Sequence, residues 1–225
     1  MVIITGAASG IGNYLYNHFE KLDLVIGTYH LSDNNNKKLQ QLNIKNNNEV
    51  EQWVSQLKFE QMNKIVLINC AGVNYNSFAH KADLSEWHNV IETNLIGTFN
   101  VIRFILPHMR KQGFGRVINF GSVVTQRFVP GTSAYTASKM ALRGLTKTLA
   151  IENASKGITI NDINLGYSNI GMGITQITET QKNELKAQIP SGRFCEPDEI
   201  VSTVEFLIAN DYVNGSAIDL NGALC

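Results

Sequence analysis

The stretch Val2-Ile3-Ile4-Thr5-Gly6-Ala7-Ala8-Ser9-Gly10-Ile11-Gly12 decides the fold of this chain. Its first four residues are β-branched and predict a buried strand, and the pattern that begins at Gly10 predicts a helix. Glycines at a strand-to-helix turn let the backbone approach a pyrophosphate, which the free N–H groups and the dipole of the helix attract. The spacing differs from the G-x-G-x-x-G fingerprint, and a simple turn is the alternative.

The same alternation of short β-rich runs and longer helical patterns continues to the end of the chain. The predicted strands are Val2–Thr5, Leu24–Tyr29, Lys64–Asn69, Arg116–Phe120, Ile158–Asn164 and Ala217–Leu220. The predicted helices are Gly10–Leu22, Asn48–Lys58, Glu86–Lys111, Ala134–Lys156, Thr178–Gln188 and Pro197–Ala209. Most strands are continuous apolar runs, which favour a parallel sheet covered on both faces. We expect an α/β, doubly wound, three-layer fold in one domain over residues 1–225, with loops at Ser32–Lys38 and Asn46–Asn48.

Composition and charge exclude several classes of protein. Hydrophobic residues make up 44% of the 225 residues and charged residues 17%, as in globular chains rather than disordered ones. The 19 basic and 19 acidic residues cancel, so no field attracts nucleic acid or an anionic membrane. Apolar runs are too short to span a bilayer, and the start lacks signal-peptide features, so we expect a cytoplasmic protein.

The cysteines and histidines give no sign of a disulfide framework or a metal site. Cys70, Cys195 and Cys225 are widely spaced along the chain. The five histidines show no clustering with cysteines or carboxylates that resembles a ligand set. We therefore expect plain thiols and no metal.

A second small-residue motif, Asn69-Cys70-Ala71-Gly72, ends the strand Lys64–Asn69. In α/β folds, ligands bind at the carboxyl ends of the strands. Small side chains at this point let the backbone pass under a bound adenosine without collision. The motif is weak evidence by itself, and it becomes informative only together with the glycine loop.

The third motif is Tyr135-Thr136-Ala137-Ser138-Lys139, inside a predicted helix that follows a strand ending at Gly121-Ser122. Residues four positions apart share a helix face, so the lysine ammonium lies one turn from the phenol. A nearby ammonium stabilises a phenolate and suits a tyrosine for acid–base chemistry at neutral pH. Ser122 could donate a hydrogen bond to a substrate carbonyl. Such a pair is usually an ordinary surface pair, but the glycine loop favours a catalytic site.

Together these motifs resemble the short-chain dehydrogenase/reductase family in its compact form, over essentially the whole chain. The resemblance includes Asn94, and it implies a Rossmann fold that binds NAD or NADP. It implies that Tyr135 is the general acid in reduction and the base in oxidation, while Lys139 promotes its ionisation and holds the nicotinamide ribose. It further implies that Ser122 polarises the carbonyl and that Asn94 binds a water in a proton relay. The cofactor contacts expected are Gly6, Ser9, Gly10, Ile11, Gly12, Asn43, Asn69, Ala71, Gly72, Tyr135, Lys139 and Gly166.

Two segments, Ser133–Lys139 and Gly192–Ile200, resemble the 3-oxoacyl-acyl-carrier-protein reductase branch of that family. The expected function is therefore hydride transfer between a nicotinamide cofactor and a carbonyl or secondary alcohol, with 3-oxoacyl thioesters as the first substrate class. Similar segments occur in sugar, polyol and other small-alcohol dehydrogenases, which remain an alternative. A dinucleotide-binding regulator with little turnover is a second alternative.

The chain departs from the family pattern around the cofactor. Leu165-Gly166 replaces the usual Pro-Gly, and Asn169 and Ile170 stand where a threonine commonly binds the nicotinamide carboxamide, so we hypothesise weaker anchoring. After the second strand, no carboxylate appears before Asp33 to bind the ribose hydroxyls of NAD. This absence slightly favours NADP, and His30 is either a contact for the 2′-phosphate or a solvated side chain.

The remaining expectations concern a lid and an oligomer. The segment around residues 166–190, including the mixed apolar and polar run Gly171–Pro190, is expected to form a substrate lid. The helices Glu86–Lys111 and Ala134–Lys156 carry apolar residues on both sides, more than one sheet covers. We therefore expect a homodimer or homotetramer, with a fully buried helix in a monomer as the alternative.

Overall fold

The computed structural model describes residues 1–22, 24–31, 36–61, 63–172, 174 and 177–225. Its strands are β1 (Val2–Thr5), β2 (Val25–Tyr29), β3 (Gln40–Gln41), β4 (Val66–Asn69), β5 (Gly115–Phe120), β6 (Ile158–Leu165) and β7 (Ala217–Leu220). Its helices are α1 (Gly10–Phe19), α2 (Asn47–Ser55), α3 (Leu84–Ile91), α4 (Thr98–Gln112), α5 (Ser133–Asn153), α6 (Glu179–Gln188) and α7 (Pro197–Ala209).

The strands form a seven-stranded sheet in the order β3-β2-β1-β4-β5-β6-β7, and every pairing is parallel. The chain starts at the centre, builds outward to β3, and then returns to build the other half from β4. Because the strand order reverses between β1 and β4, a crevice opens there at the carboxyl ends of the strands. The predicted doubly wound α/β fold is confirmed.

Hydrophobic side chains cover both faces of the sheet. Ile3 packs in a cluster with residues of α2 and α4, whereas its neighbour Ile4 packs in a second cluster with residues of α1 and α7. Both isoleucines are fully buried. Successive residues of a strand point to opposite faces, so continuous apolar strands are what a sheet between two helical layers requires.

One strand that was not predicted and one predicted loop differ from the sequence-based expectations. β3 was not predicted because Gln40 and Gln41 are exposed and lack an apolar pattern, and backbone pairing with Thr28 and Tyr29 alone makes them a strand. The stretch Asn46–Asn48 begins α2 instead of forming a loop, since the Asn46 side chain accepts hydrogen bonds from the first turn of the helix. Within the predicted loop Ser32–Lys38, residues 32–35 lie outside the described residues.

The predicted helix Glu86–Lys111 is divided in two. It begins earlier, at Leu84, because Asp83 caps the N–H groups of Ser85 and Glu86. A π-helical segment, Glu92–Gly97, then separates α3 from α4. A hydrophobic period of 3.6 residues cannot reveal one wider turn inside a long helix.

Smaller differences occur at the ends of other elements. α1 ends at Phe19 rather than Leu22, and α5 passes into a short 3₁₀ turn, Ala154–Lys156, within its predicted range. α7 has the predicted bounds. Among the described residues, none of the helices has the length and hydropathy needed to cross a lipid bilayer.

Candidate functional site

The loop between β1 and α1 is shaped by its glycines. Gly6 and Gly10 have φ of +69° and +52°, a region that favours glycine. A Cβ on Gly12 would lie 2.2 Å from the Gly6 carbonyl oxygen, so the two backbone segments touch. Ser9 precedes the helix in an extended conformation, its side chain makes no capping hydrogen bond, and no acidic residue occupies the first turn. The helix N-terminus therefore keeps N–H groups available to an anion.

A cavity of about 240 Å³ lies at the carboxyl ends of β1, β2 and β4. Its lining includes the predicted cofactor residues Gly6, Asn43 and Ala71, together with His30. The N–H of Asn43 donates to the Glu49 carboxylate at 2.6 Å, and its side-chain oxygen accepts from the backbone N–H of Lys45. These bonds hold the Asn43 backbone at the edge of the cavity.

A larger cavity, of about 370 Å³, collects the catalytic candidates. The predicted site residues in its lining are Ile11, Gly72, Ser122, Tyr135, Lys139 and Gly166. They come from the glycine loop, from the ends of β4, β5 and β6, and from α5. Residues distant in sequence therefore meet because parallel strands end at the same edge of the sheet.

Lys139 lies close to Tyr135 on the face of α5 that packs on the sheet. Its Nζ is 5.5 Å from the centroid of the tyrosine ring and donates a 2.6 Å hydrogen bond to the carbonyl of Phe120, the last residue of β5. Only 6% of the lysine is exposed. The phenol and the ammonium therefore lie side by side in the wall of the larger cavity, within reach of one bound molecule.

Ser122 follows β5 directly and begins a 3₁₀ turn, Val123–Thr125. Its Oγ accepts a hydrogen bond from the backbone N–H of Val124 at 3.4 Å, so its own proton stays available to another acceptor. It is 8% exposed and lines the larger cavity with Tyr135. The two hydroxyl groups can therefore approach one substrate oxygen.

Asn94 lies in the π-helical segment and is 1% exposed. Its side chain accepts from the N–H of Val73 at 2.8 Å and donates to the Val73 carbonyl at 2.9 Å and to Ser138 Oγ at 3.1 Å. A Cβ on Gly72 would meet both Asn94 Oδ1 and Lys139 Nζ, at 3.3 Å and 3.9 Å. Asn94 thus holds the chain after β4 and borders the lysine.

The side chain of Asn69 bonds to a neighbouring strand and lines neither of the two cavities. It is 5% exposed, and its Nδ2 donates to Asn119 Oδ1 at 2.9 Å. The next residue, Cys70, lines the larger cavity, and burial raises the pKa of its thiol far above the ordinary range. This cysteine is therefore an inert wall of the cavity.

The segment after β6 carries the departures predicted from the sequence. The N–H of Gly166 donates to the Leu220 carbonyl at 2.9 Å, and a Cβ there would lie 2.9 Å from the Asn221 Cα. Ile170 lines the larger cavity with an apolar side chain. The nearby hydroxyl of Ser168 is already bonded to the Ile170 carbonyl at 2.6 Å. The side chain at position 170 therefore offers no polar group to a ligand.

One buried ionisable residue, Asp162 on β6, was not among the candidates from the sequence. It is 1% exposed, and its desolvation raises the pKa of the carboxyl to about 6, although the Lys139 ammonium lowers it in part. The signal was present, because Asp162 is the one charged residue within the predicted strand Ile158–Asn164.

Comparisons with known proteins agree with this geometry. A family model described as short chain dehydrogenase matches residues 1–182. Acetoacetyl-CoA reductase of Allochromatium vinosum is 38% identical over 168 residues, which cover 73% of this chain and 68% of the relative. A 3-oxoacyl-acyl-carrier-protein reductase of Haemophilus influenzae is 30% identical over 239 residues, which cover all of this chain and 97% of the relative.

Solved structures give the same result. An actinorhodin polyketide ketoreductase variant crystallised with NADPH superposes with a TM-score of 0.89 and 27% identity, over 99% of this chain and 96% of the other. Ligand-free aldohexose dehydrogenase of Thermoplasma acidophilum gives 0.89 and 25%, over 99% and 92%. The chain therefore belongs to the short-chain dehydrogenase/reductase family, in the branch similar to 3-oxoacyl-acyl-carrier-protein reductases, and is a nicotinamide-dinucleotide-dependent oxidoreductase acting on carbonyl and alcohol groups of small molecules.

Proposed function

We propose that the protein reduces 3-oxoacyl thioesters to 3-hydroxyacyl thioesters with NADPH as the electron donor. The observation that carries this proposal is the meeting of Ser122, Tyr135 and Lys139 around a single cavity that also reaches Ile11 of the glycine loop. The names of the relatives, acetoacetyl-CoA reductase and 3-oxoacyl-acyl-carrier-protein reductase, support the substrate class.

The loop after β1 fits a pyrophosphate. A Cβ on Gly6 would lie 2.8 Å from the Ala71 backbone, and one on Gly12 would collide with Gly6, so only glycines keep this cradle open. Gly10 and Ser9 complete the turn at the uncapped helix N-terminus. A bound dinucleotide supplies the hydride for reduction or accepts it in oxidation.

The protein groups handle the proton and the carbonyl oxygen. Ser122 donates a hydrogen bond that polarises the carbonyl, and Tyr135 gives its phenolic proton to the same oxygen as charge develops there. Lys139 stabilises the phenolate that remains and holds the ribose of the cofactor. Asn94 borders Lys139, which suits it to hold a water that returns the proton from solvent.

The smaller cavity, at the carboxyl ends of β1, β2 and β4, favours NADP over NAD. Its lining among the described residues includes His30 and Lys45 but no carboxylate that would bind the ribose hydroxyls. Lys45 donates to Asn89 at 2.9 Å, which holds its ammonium at this cavity. Asp33, the first carboxylate after β2 in the sequence, lies outside the described residues.

The larger cavity offers an apolar side to an acyl chain. Val124 and Val129 line it from the segment after β5, and Met172 and Ile177 line it from the segment 166–190. We infer that this segment covers the bound substrate as a lid. Residues 173, 175 and 176 of the lid lie outside the described residues.

We also infer a homodimer or homotetramer. Ile96, in the π-helical segment, is 45% exposed, and Phe99, at the start of α4, is 39% exposed. On α5, Met140 and Ile151 are 45% and 81% exposed. On α5 the two side chains lie about three turns apart on one stripe. Large apolar side chains on long helices commonly mark an interface, which the mass of the protein in solution would test.

The test is a titration of NADPH and NADH into the purified protein, followed by turnover measurements with a carbonyl panel. The panel contains acetoacetyl-CoA, a longer 3-oxoacyl thioester, an aldose and a small ketone. Tyr135→Phe is the test variant, and Tyr212→Phe, at a side chain that is 96% exposed, is its matched control.

We expect tighter binding of NADPH and a thioester rate that Tyr135→Phe abolishes and Tyr212→Phe preserves. A preference for the aldose would favour a sugar dehydrogenase instead. Tight cofactor binding without turnover of any carbonyl would contradict the proposed substrate class.

A further inference from the structure

A row of polar side chains joins the turn that carries Ser122 to the last two strands of the sheet. Thr125 ends the 3₁₀ turn that Ser122 begins, and its Oγ1 is 3.0 Å from Asn164 Oδ1 on β6. Asn164 Nδ2 is 2.6 Å from Oδ1 of its register partner on β7, Asp219. Thr125 and Asn164 are 6% and 1% exposed, whereas Asp219 is exposed at the end of the row.

The carboxylate of Asp219 sets the direction of these hydrogen bonds. A carboxylate only accepts, so the amide nitrogen of Asn164 faces it and donates. The amide oxygen of Asn164 then faces Thr125, and the threonine hydroxyl must be the donor. The row therefore has one hydrogen-bonding arrangement, and it fixes the side chain of Thr125.

Thr125 also contacts Ser122 directly. The Ser122 carbonyl accepts a hydrogen bond from the backbone N–H of Thr125 at 3.0 Å, and Thr125 Oγ1 lies 3.0 Å from the same carbonyl. The hydroxyl proton of Thr125 is thus shared between this carbonyl and Asn164. Through the threonine, the backbone at Ser122 is tied to β6.

Gln126 gives the turn a second attachment to the same carboxylate. Its Nε2 lies 3.1 Å from Oδ1 and 3.2 Å from Oδ2 of Asp219. Its Oε1 is buried and has no hydrogen-bond partner among the described residues. An unpaired buried oxygen costs stability, but turning the amide round would place this oxygen against the carboxylate. The amide therefore keeps the orientation that bonds the turn to β7.

We propose that Thr125 and Asn164 are positioning residues, which hold the Ser122 hydroxyl where it polarises the substrate carbonyl. This inference rests on the proposed function, in which Ser122 and Tyr135 bind one carbonyl oxygen. A hydrogen-bond donor stabilises developing charge best when it is already oriented before the reaction begins. The two residues provide this orientation from behind the site, since neither of them lines the larger cavity.

The experiment is a double-mutant cycle on the rate of acetoacetyl-CoA reduction at saturating NADPH. Thr125→Val removes the hydroxyl, keeps the shape, and is made both in the wild type and in Ser122→Ala. Thr146→Val is the matched control, because it removes an equally buried hydroxyl that is bonded to an asparagine amide and lines neither cavity. Amide hydrogen exchange of residues 122–127 is measured on the same proteins. Asp219→Ala, at an exposed position, replaces Thr125→Val if the valine variant does not fold.

We expect Thr125→Val to lower the maximal rate about tenfold in the wild type, a part of the roughly 10²- to 10³-fold loss that removal of a whole donor causes. In Ser122→Ala the same substitution should change the rate by less than about twofold, because the group that it positions is absent. Thr146→Val should leave the rate close to that of the wild type.

An equal loss of rate in both backgrounds, or no loss in either, would overturn the proposal. Hydrogen exchange of the turn should be faster in Thr125→Val, and exchange no faster than in Thr146→Val would overturn it as well. Absence of turnover with any carbonyl in the wild type would contradict the proposed function instead, and hydrogen exchange would then decide whether the row holds the turn.

Discussion

The larger cavity has two sides, and only one of them carries the polar side chains that the family pattern predicts. On the proton-transfer side, the end of β5 and α5 provide Ser122, Tyr135 and Lys139, all lining the cavity. On the cofactor-anchoring side, the last residue of β6 is Leu165 and the segment after β6 provides Ile170, where the family usually has a proline and a threonine. The two sides stand on different elements, so one can change while the geometry of the other is kept.

This difference separates catalysis from binding. Groups that act on the transition state raise the rate, whereas a contact present equally in the ground state changes mainly the affinity. Loss of a polar anchor at Ile170 should therefore weaken cofactor binding and leave the proton-transfer groups in place. The following variants test that separation.

The largest effect is expected for Tyr135→Phe, which removes the proposed acid and keeps the ring. Turnover should fall by about 10²- to 10⁴-fold, the usual contribution of a positioned acid or base. The affinity for NADPH, measured by fluorescence, should change little because the ring still packs against Lys139. A variant that loses cofactor binding as strongly as turnover would show that the two functions are not separable here.

The second variant, Asp162→Asn, removes the buried charge on β6, the strand between β5 and the segment that carries Ile170. Burial raises the pKa of Asp162 to about 6, so the folded state binds a proton that the unfolded chain releases near pH 4. The resulting destabilisation is absent below about pH 4, grows between about pH 4 and 6, and is complete above about pH 6.

We therefore expect the asparagine variant to unfold with a free energy larger by up to about 3 kcal/mol at neutral pH. Urea unfolding at several pH values measures it. A gain that is the same at acid and neutral pH would mean that ionisation of Asp162 is not its cause.

Gly12→Ala perturbs the pyrophosphate cradle, where the added Cβ meets Gly6 and Cys70. Its Cβ would lie 2.2 Å from the Gly6 carbonyl oxygen, so the loop must shift. We expect a loss of about 1–3 kcal/mol in stability, as for other overpacked sites, together with weaker binding of NADPH and NADH alike. Thermal unfolding and cofactor titration measure the two effects, and unchanged values for both would refute this view of the loop.

The smallest effect is expected for Ile170→Thr, which restores a hydroxyl on the anchoring side. One added hydrogen bond should tighten cofactor binding by about 1 kcal/mol, roughly fivefold, with a much smaller change in maximal turnover. Ile170→Val is the control, because it has nearly the shape of threonine and no hydroxyl. Equal affinities of the two variants would argue against weakened anchoring in the natural chain.

The sequence predicted the parts of this site that depend on local pattern. The glycine loop and the Tyr135–Lys139 spacing follow from neighbouring residues, because a helix turn fixes side chains four positions apart. A charged residue in a predicted strand marks Asp162, but its alignment with Asn119 on β5 and Asn69 on β4 depends on register between strands distant in sequence, which no local pattern reveals. β3 was missed for the same reason, since its exposed glutamines become a strand only through pairing with β2.

The π-helical segment Glu92–Gly97 has a consequence for how this chain can vary in length. A π turn accommodates about one residue more than an α turn, and each added residue rotates the following helix by about 100°. A deletion within this segment could leave one regular helix from α3 to α4. The amide of Asn94 would then turn away from Val73 and Ser138. A shorter helix at this point would therefore disrupt the site next to Lys139.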